Sequence, residues 1–252
     1  MSMSLDLYLR VITASNESEA RAVLLIHGFA SSAEMNWNRS RWVQRFLDQG
    51  SDVILLDLPG HGEDPYRNEG SWTPTRIREA IAAGLKDLNL GPVDVLGYSL
   101  GARLGWEFAA HFPQLVNRLV MGGPASIDPL AAFEVDQARA YIERGEEIHD
   151  EYTDKVINIA KSENANDFNA LFRLIEAIKT DPYIPASKVP VCPTLLVAGD
   201  HDDLATTMPQ LRRLLKNAGT ESAIHWLPGR NHANAVTSRE FKEKALEFFA
   251  SA

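Results

Sequence analysis

One cysteine in 252 residues rules out an internal disulfide. That residue, Cys192, stands between Val191 and Pro193 at the entrance to an apolar run, where a small buried thiol is expected rather than a nucleophile. A chain without disulfides suits a reducing compartment, and the expected location is the cytoplasm. The opening residues, Met1-Ser-Met-Ser-Leu-Asp6, lack a basic stretch followed by an apolar one, so no signal peptide is expected. No apolar run approaches the length that spans a bilayer, and no membrane partner is expected. Basic residues form no stripe; with 25 Lys and Arg against 34 Asp and Glu, a nucleic-acid partner is not expected. Internal repeats and low-complexity tracts are absent as well.

What remains suits one soluble domain with an insertion, or a tight pair of lobes, large enough to enclose a water-excluding pocket. The charge is unevenly spread. Residues 124–187 hold 13 acidic and 6 basic side chains, most of the net charge of −9.

Short apolar runs alternate with longer helical patterns, which predicts βαβ units and a mainly parallel sheet. Strands are expected at Leu5–Ile12, Ala22–Ile26, Val53–Leu56, Val93–Leu96, Arg118–Met121, Thr194–Ala198 and Ser222–Leu227, with a polar turn over Ser15–Glu19. Helices are expected at Arg41–Gln49, from Thr73-Pro74, from Leu100 and over Met208–Ala218. Thr237-Ser-Arg-Glu240 reads as a capping box that opens a last helix. The alternation breaks at Pro124. Residues 129–180 carry three helical patterns and no strand, with Phe133, Tyr152, Phe168 and Phe172 among the apolar positions. The chain thus divides into a core, 1–123 with 188–252, and a helical cap, 124–187.

Gly97-Tyr98-Ser99-Leu100-Gly101 sits between a strand and a helix. A serine hydroxyl is a poor nucleophile that needs exposure, a base and a stabilised oxyanion. The glycines let the backbone turn sharply so that Ser99 projects, and the helix start leaves the Leu100 N–H unpaired beside it. His27-Gly28-Phe29 follows another strand, and the Phe29 N–H is read as the second oxyanion donor; His27 is read as structural. Asp200, Asp202 and Asp203 compete as the acid at a strand's C-terminal end, and spacing from that end selects Asp202. His232, in the glycine-containing loop before the last helix, is the candidate base. The order Ser99, Asp202, His232 is the one expected of α/β-hydrolases.

Together His27–Phe29, Asp57-Leu-Pro-Gly-His-Gly62, Gly97–Gly101, Gly199–Asp202 and Gly229–His232 resemble the α/β-hydrolase superfamily over nearly the whole chain. The resemblance implies an eight-stranded, mostly parallel sheet with a helical lid between strands six and seven. It gives His61 a structural role in a turn. Gly97–Arg103 and His27–Phe29 are also similar to the menaquinone-pathway synthases that eliminate pyruvate, in which an arginine at this position helps bind substrate carboxylates. Arg103 reads equally well as an arginine beneath the lid, paired to a carboxylate. A serine at the elbow argues against dehalogenases and epoxide hydrolases. Two departures stand out. The turn continues as Glu63-Asp64-Pro65, and the loop Ala30–Asn38 is long and polar. Trp37 is a candidate pocket wall there; Tyr98 and Arg103 are the other candidate substrate contacts.

The expected function is that of a serine esterase, a carboxylesterase acting on a small ester, thioester or lactone without metal or organic cofactor. The small-molecule substrate is the one partner implied, and the sequence specifies no oligomeric state. A lyase using the same three residues, and a ligand receptor on the same fold, are the other readings. The acidic cap weighs mildly against an anionic substrate.

Overall fold

The computed structural model describes residues 7–15, 20–64, 71–163 and 166–251. Of the expected features, the polar turn at residues 16–19, the start of the opening strand at Leu5 and the continuation at Pro65 lie outside the described residues.

A strand with apolar side chains on both faces must be covered on both. In β2 (Val23–Ile26), Val23 and Leu25 join one core cluster while Leu24 and Ile26 join another. The same alternation divides Leu195 and Val197 from Leu196 and Ala198 in β6 (Thr194–Gly199). One face is covered by α2 (Pro74–Asp87), α3 (Leu100–His111) and α7 (Met208–Asn217), through Ile77, Leu104 and Leu211 among others. The other is covered by α1 (Trp42–Asp48) and α8 (Arg239–Ala250), where Trp42 packs edge-on against Phe241 at 4.9 Å.

Between these layers lies a sheet of seven strands among the described residues, not the eight implied by resemblance. The order is β1 (Arg10–Ile12), β3 (Val53–Leu55), β2, β4 (Val93–Tyr98), β5 (Val116–Gly122), β6 and β7 (Ser222–Leu227). β1 pairs antiparallel with β3, and the other neighbours are parallel. β2 has β3 on one side and β4 on the other, so the order of connection reverses there. The loops leaving β2 and β4 therefore flank a crevice at the strands' C-terminal ends, where open α/β sheets collect functional groups.

Three helices lie between β5 and β6: α4 (Val135–Arg144), α5 (Glu151–Ala160) and α6 (Phe168–Thr180). Asp150 caps α5 through the Thr153 N–H at 2.7 Å, and Asp167 caps α6. Phe133, just before α4, and Phe172 of α6 are fully buried in a cluster with residues of α4 and α5 against which Phe29 also packs, each contributing roughly 2–3 kcal/mol. Leu174 and Ile178 of α6 instead join the main core.

The last helix starts one residue later than its capping box suggests. Ser238, not Thr237, is the N-cap, and accepts from the Phe241 N–H. Glu240 turns away to His225 at 2.7 Å. No helix among the described residues is long and apolar enough to cross a membrane.

Candidate active site

Ser99 stands in the crevice because the chain turns there at its limit. Its backbone has φ +54°, a conformation that costs a non-glycine residue on the order of 1–3 kcal/mol. Hydrogen bonds on both sides hold it: the Ser99 N–H donates to Gly122 O at 2.8 Å, and Ser99 O accepts from the Ala102 N–H at 2.9 Å. A Cβ at Gly97 would come within 2.1 Å of Gly101 O, and one at Gly101 within 2.0 Å of Ile26 O. Only glycine fits the two flanks.

The structure brings Ser99, His232 and Asp202 together. His232 Nε2 lies 2.9 Å from Ser99 Oγ, and Nδ1 lies 2.8 Å from Asp202 Oδ2. Asp202 is buried, and its other oxygen accepts from the Leu204 and Ala205 N–H groups at 3.1 and 3.3 Å. That cap fixes the carboxylate's orientation. Asp200 is exposed and accepts from the Gly229 N–H at 2.7 Å, and Asp203 is exposed as well. Of the three acids that compete in the sequence, Asp202, which spacing from the strand end selects, is the one beside the imidazole.

The Phe29 and Leu100 N–H groups have no acceptor among the described residues. The loop carrying Phe29 is clamped from several sides. Gly28 N–H donates to Asn36 Oδ1 at 2.9 Å, and Ala30 N–H donates to His61 Nε2 at 2.9 Å. His27 Nε2 accepts from the Leu58 N–H at 2.9 Å. Accepting at Nε2 leaves each ring a proton on Nδ1, which faces Gly28 O in His27 and Pro59 O in His61. Burial, then the neighbouring His27, pushes His61 down to about 3; burial also lowers His27 against the pull of Asp57. Both are neutral acceptors, consistent with structural roles. Asn36 gave no signal in the sequence, being one more polar residue in a polar loop.

Two candidate substrate contacts are placed elsewhere. Trp37 is fully buried on the α1 face of the sheet, edge-on to Trp42 at 6.0 Å, because the Ala30–Asn38 loop folds back through a helical turn over Glu34–Asn38. Tyr98 faces that same layer with Leu96, as strand alternation requires. Neither reaches the cavity.

The cavity that Ser99 and His232 face has a volume of about 130 Å³. Phe29, Leu130, Tyr152, Val156 and Ile159 give it an apolar wall, to which α5 contributes the last three. Phe133, Phe168 and Phe172 do not line it; they pack with residues of α4 and α5 and with Phe29. Arg103 does line it, though only 5% exposed. Its Nη1 is ion-paired with Asp128 Oδ2, its Nη2 donates to Asp181 O at 2.5 Å, and its Nε lies 3.4 Å from Glu107. Burial raises Glu107 above the usual carboxylate range. Asn166 links the segment between β5 and β6 to the Phe29 loop by donating to Ala30 O at 3.1 Å. Cys192 lies apart, its thiol pushed up to about 11 by burial. Among the described residues no cluster of three or more His, Cys, Asp or Glu side chains is arranged to hold a metal.

Residues 21–142 match the family model of the alpha/beta hydrolase fold. An esterase of Mycobacterium tuberculosis is 32% identical over 102 residues, 40% of this chain and 32% of its own length. A putative 2-succinyl-6-hydroxy-2,4-cyclohexadiene-1-carboxylate synthase of Bacillus subtilis is 36% identical over 110 residues, 42% of this chain and 36% of its own. The matched stretch thus spans about a third of these relatives. The enol-lactonase of Burkholderia xenovorans superposes with a TM-score of 0.74 at 19% identity, covering 97% of this chain and 96% of that one. The strand order, the elbow at Ser99, the family match and these likenesses agree: the chain is an α/β-hydrolase-fold protein.

Proposed function

We propose that this protein is a serine hydrolase that cleaves a small ester, thioester or lactone by acyl transfer through Ser99 to water. The observation that carries the reading is the continuous contact from Ser99 Oγ through His232 to Asp202, at 2.9 and 2.8 Å, facing a cavity with two N–H groups at its edge that are unpaired among the described residues. In this mechanism His232 Nε2 takes the Ser99 proton as the oxygen attacks the substrate carbonyl. Asp202 holds the proton on Nδ1 and stabilises the imidazolium. The Phe29 and Leu100 N–H groups receive the developing oxyanion, each worth about 3–4 kcal/mol to the transition state. His232 returns the proton to the leaving group, and water repeats the sequence on the acyl-enzyme.

The cavity is close in size to one of about 150 Å³ that takes up benzene, which supports a short or compact acyl group. Residues 124–187 act as a cap whose α5 excludes water from the acyl group. The names of the esterase and the enol-lactonase favour the same bond class. The lyase reading needs an arginine free for substrate carboxylates, and Arg103 is bound to Asp128 and Asp181 instead. The lone buried Cys192 supports a cytoplasmic setting.

Labelling with a fluorophosphonate probe, together with turnover of short p-nitrophenyl esters, tests the assignment. Stoichiometric labelling and brisk turnover, both abolished in Ser99→Ala, are the expected result. Labelling that survives the substitution overturns the role of Ser99. Labelling without turnover of any ester turns the reading toward a receptor.

A further inference from the structure

Arg103 is positioned to bind an anion and is already occupied by one. It lies one helical turn beyond Ser99 and lines the cavity, and it shares the cavity wall with Asp128. Among the described residues lining the space, these two are the Arg, Lys, Asp or Glu side chains. The carboxylate of Asp128 sits on Nη1 of the guanidinium, while Nη2 is held by Asp181 O at 2.5 Å and the ring of Tyr183 lies 5.3 Å from the guanidinium carbon. Asp128 does not depend on the arginine for its place. Its Oδ1 accepts from the Leu130 N–H at 3.0 Å and caps the helical turn Pro129–Ala132. The backbone therefore delivers a carboxylate to the arginine as a fixed part of the fold. Both side chains are at least nine-tenths buried, so water does little to weaken the pair.

Resting on the hydrolase reading above, we propose that Asp128 determines substrate charge: it fills the carboxylate-binding side of Arg103 and restricts the cavity to uncharged acyl groups. An acyl chain ending in a carboxylate meets the Asp128 charge and finds no free cation. Removing that charge, while keeping the cap, opens a latent site for such chains beside Ser99. The specificity device is thus one residue of the inserted segment acting on one residue of the nucleophile's helix. It requires no rearrangement of Ser99, His232 or Asp202.

Dimethyl succinate and monomethyl succinate share a skeleton and differ in whether the far end is neutral or charged. Wild-type protein is expected to favour the dimethyl ester by at least 100-fold in kcat/KM, read as methanol release. In Asp128→Asn, which retains a capping oxygen, that ratio falls at least tenfold. Binding is measured separately by calorimetry in a Ser99→Ala background. There Asp128→Asn tightens monomethyl succinate at least tenfold and dimethyl succinate by much less, and adding Arg103→Met abolishes the gain. Asp128→Ser, which also keeps a capping oxygen, serves if the asparagine variant does not fold. A wild type that takes both esters equally overturns the proposal. So does an unchanged preference in the variants, or a gain that persists without Arg103. If no form of the protein hydrolyses either ester, the hydrolase reading fails, and the calorimetry still decides the role of Asp128.

Discussion

Tyr98 Oη donates to the main-chain oxygen of His232 at 2.5 Å, and its ring lies 5.6 Å from the imidazole. The residue before the serine thus secures the loop that carries His232, from the face of the sheet covered by α1 and α8. Tyr98→Phe leaves a part-buried carbonyl without its donor, which costs about 1–3 kcal/mol. The expected outcome is a stability loss of that size by denaturant titration, with kcat down by roughly tenfold and KM little changed. A substantial rise in KM with kcat intact would instead make Tyr98 a substrate contact.

Asp202→Asn preserves shape but supports the wrong imidazole tautomer, and turnover is expected to fall on the order of 10⁴-fold. Asp200→Asn and Asp203→Asn are expected to stay within a few fold, since both carboxylates are exposed and neither touches His232. Initial rates for the three variants, compared with fluorophosphonate labelling, check the assignment. A crippled Asp203→Asn beside an active Asp202→Asn contradicts it.

His61 ties stability to pH. Its folded pKa of about 3 lies below the ordinary 6.5, so as pH falls through that interval the unfolded chain takes up the proton first. The stability His61 supplies is complete above pH 6.5 and is lost toward pH 3, at about 1.4 kcal/mol per pH unit. Asp94, pushed up to about 6 by burial, acts in the opposite sense between its ordinary 3.8 and 6. Comparing wild type with His61→Gln cancels the Asp94 contribution. Denaturation midpoints from pH 7 to 4 are expected to fall more steeply in the wild type; parallel curves refute the assignment.

Val156 projects from α5 into the cavity wall. Val156→Phe is expected to shift the ratio of kcat/KM for p-nitrophenyl hexanoate over acetate downward by at least tenfold. Each excluded methylene forfeits about 0.8 kcal/mol of transfer free energy. An unchanged ratio means that the acyl chain lies elsewhere.

The strands were legible because two-sided burial writes itself as short unbroken apolar runs, as in Val23–Ile26 and Thr194–Gly199. Ser99, Asp202 and His232 were legible as candidates because each follows such a run, and order along the chain distinguished them. Arg103 was half legible. Its distance from Ser99 could be counted, but its partners Asp128 and Asp181 lie 25 and 78 residues away and leave no local trace. Trp37 misled because a tryptophan in a polar loop reads as a wall, and only the helical turn at Glu34–Asn38 sends it inward. Tyr98 could have been read better, since alternation from Leu96 already puts it on the α1 and α8 side. At the last helix, adjacent hydroxyls at Thr237 and Ser238 leave the cap ambiguous by one residue, until His225 claims Glu240.

The contact between His232 and Ser99 closes a span of 133 residues. During synthesis at roughly 5–20 residues per second, the elbow at Ser99 leaves the ribosome about 7 to 27 seconds before His232. Through that interval the nascent chain carries Ser99 without its imidazole partner, and a product truncated anywhere before His232 lacks that contact. On the proposed hydrolase reading, the reactive group is therefore assembled only after His232 has been made, which keeps a shorter nascent chain from attacking acyl donors around it.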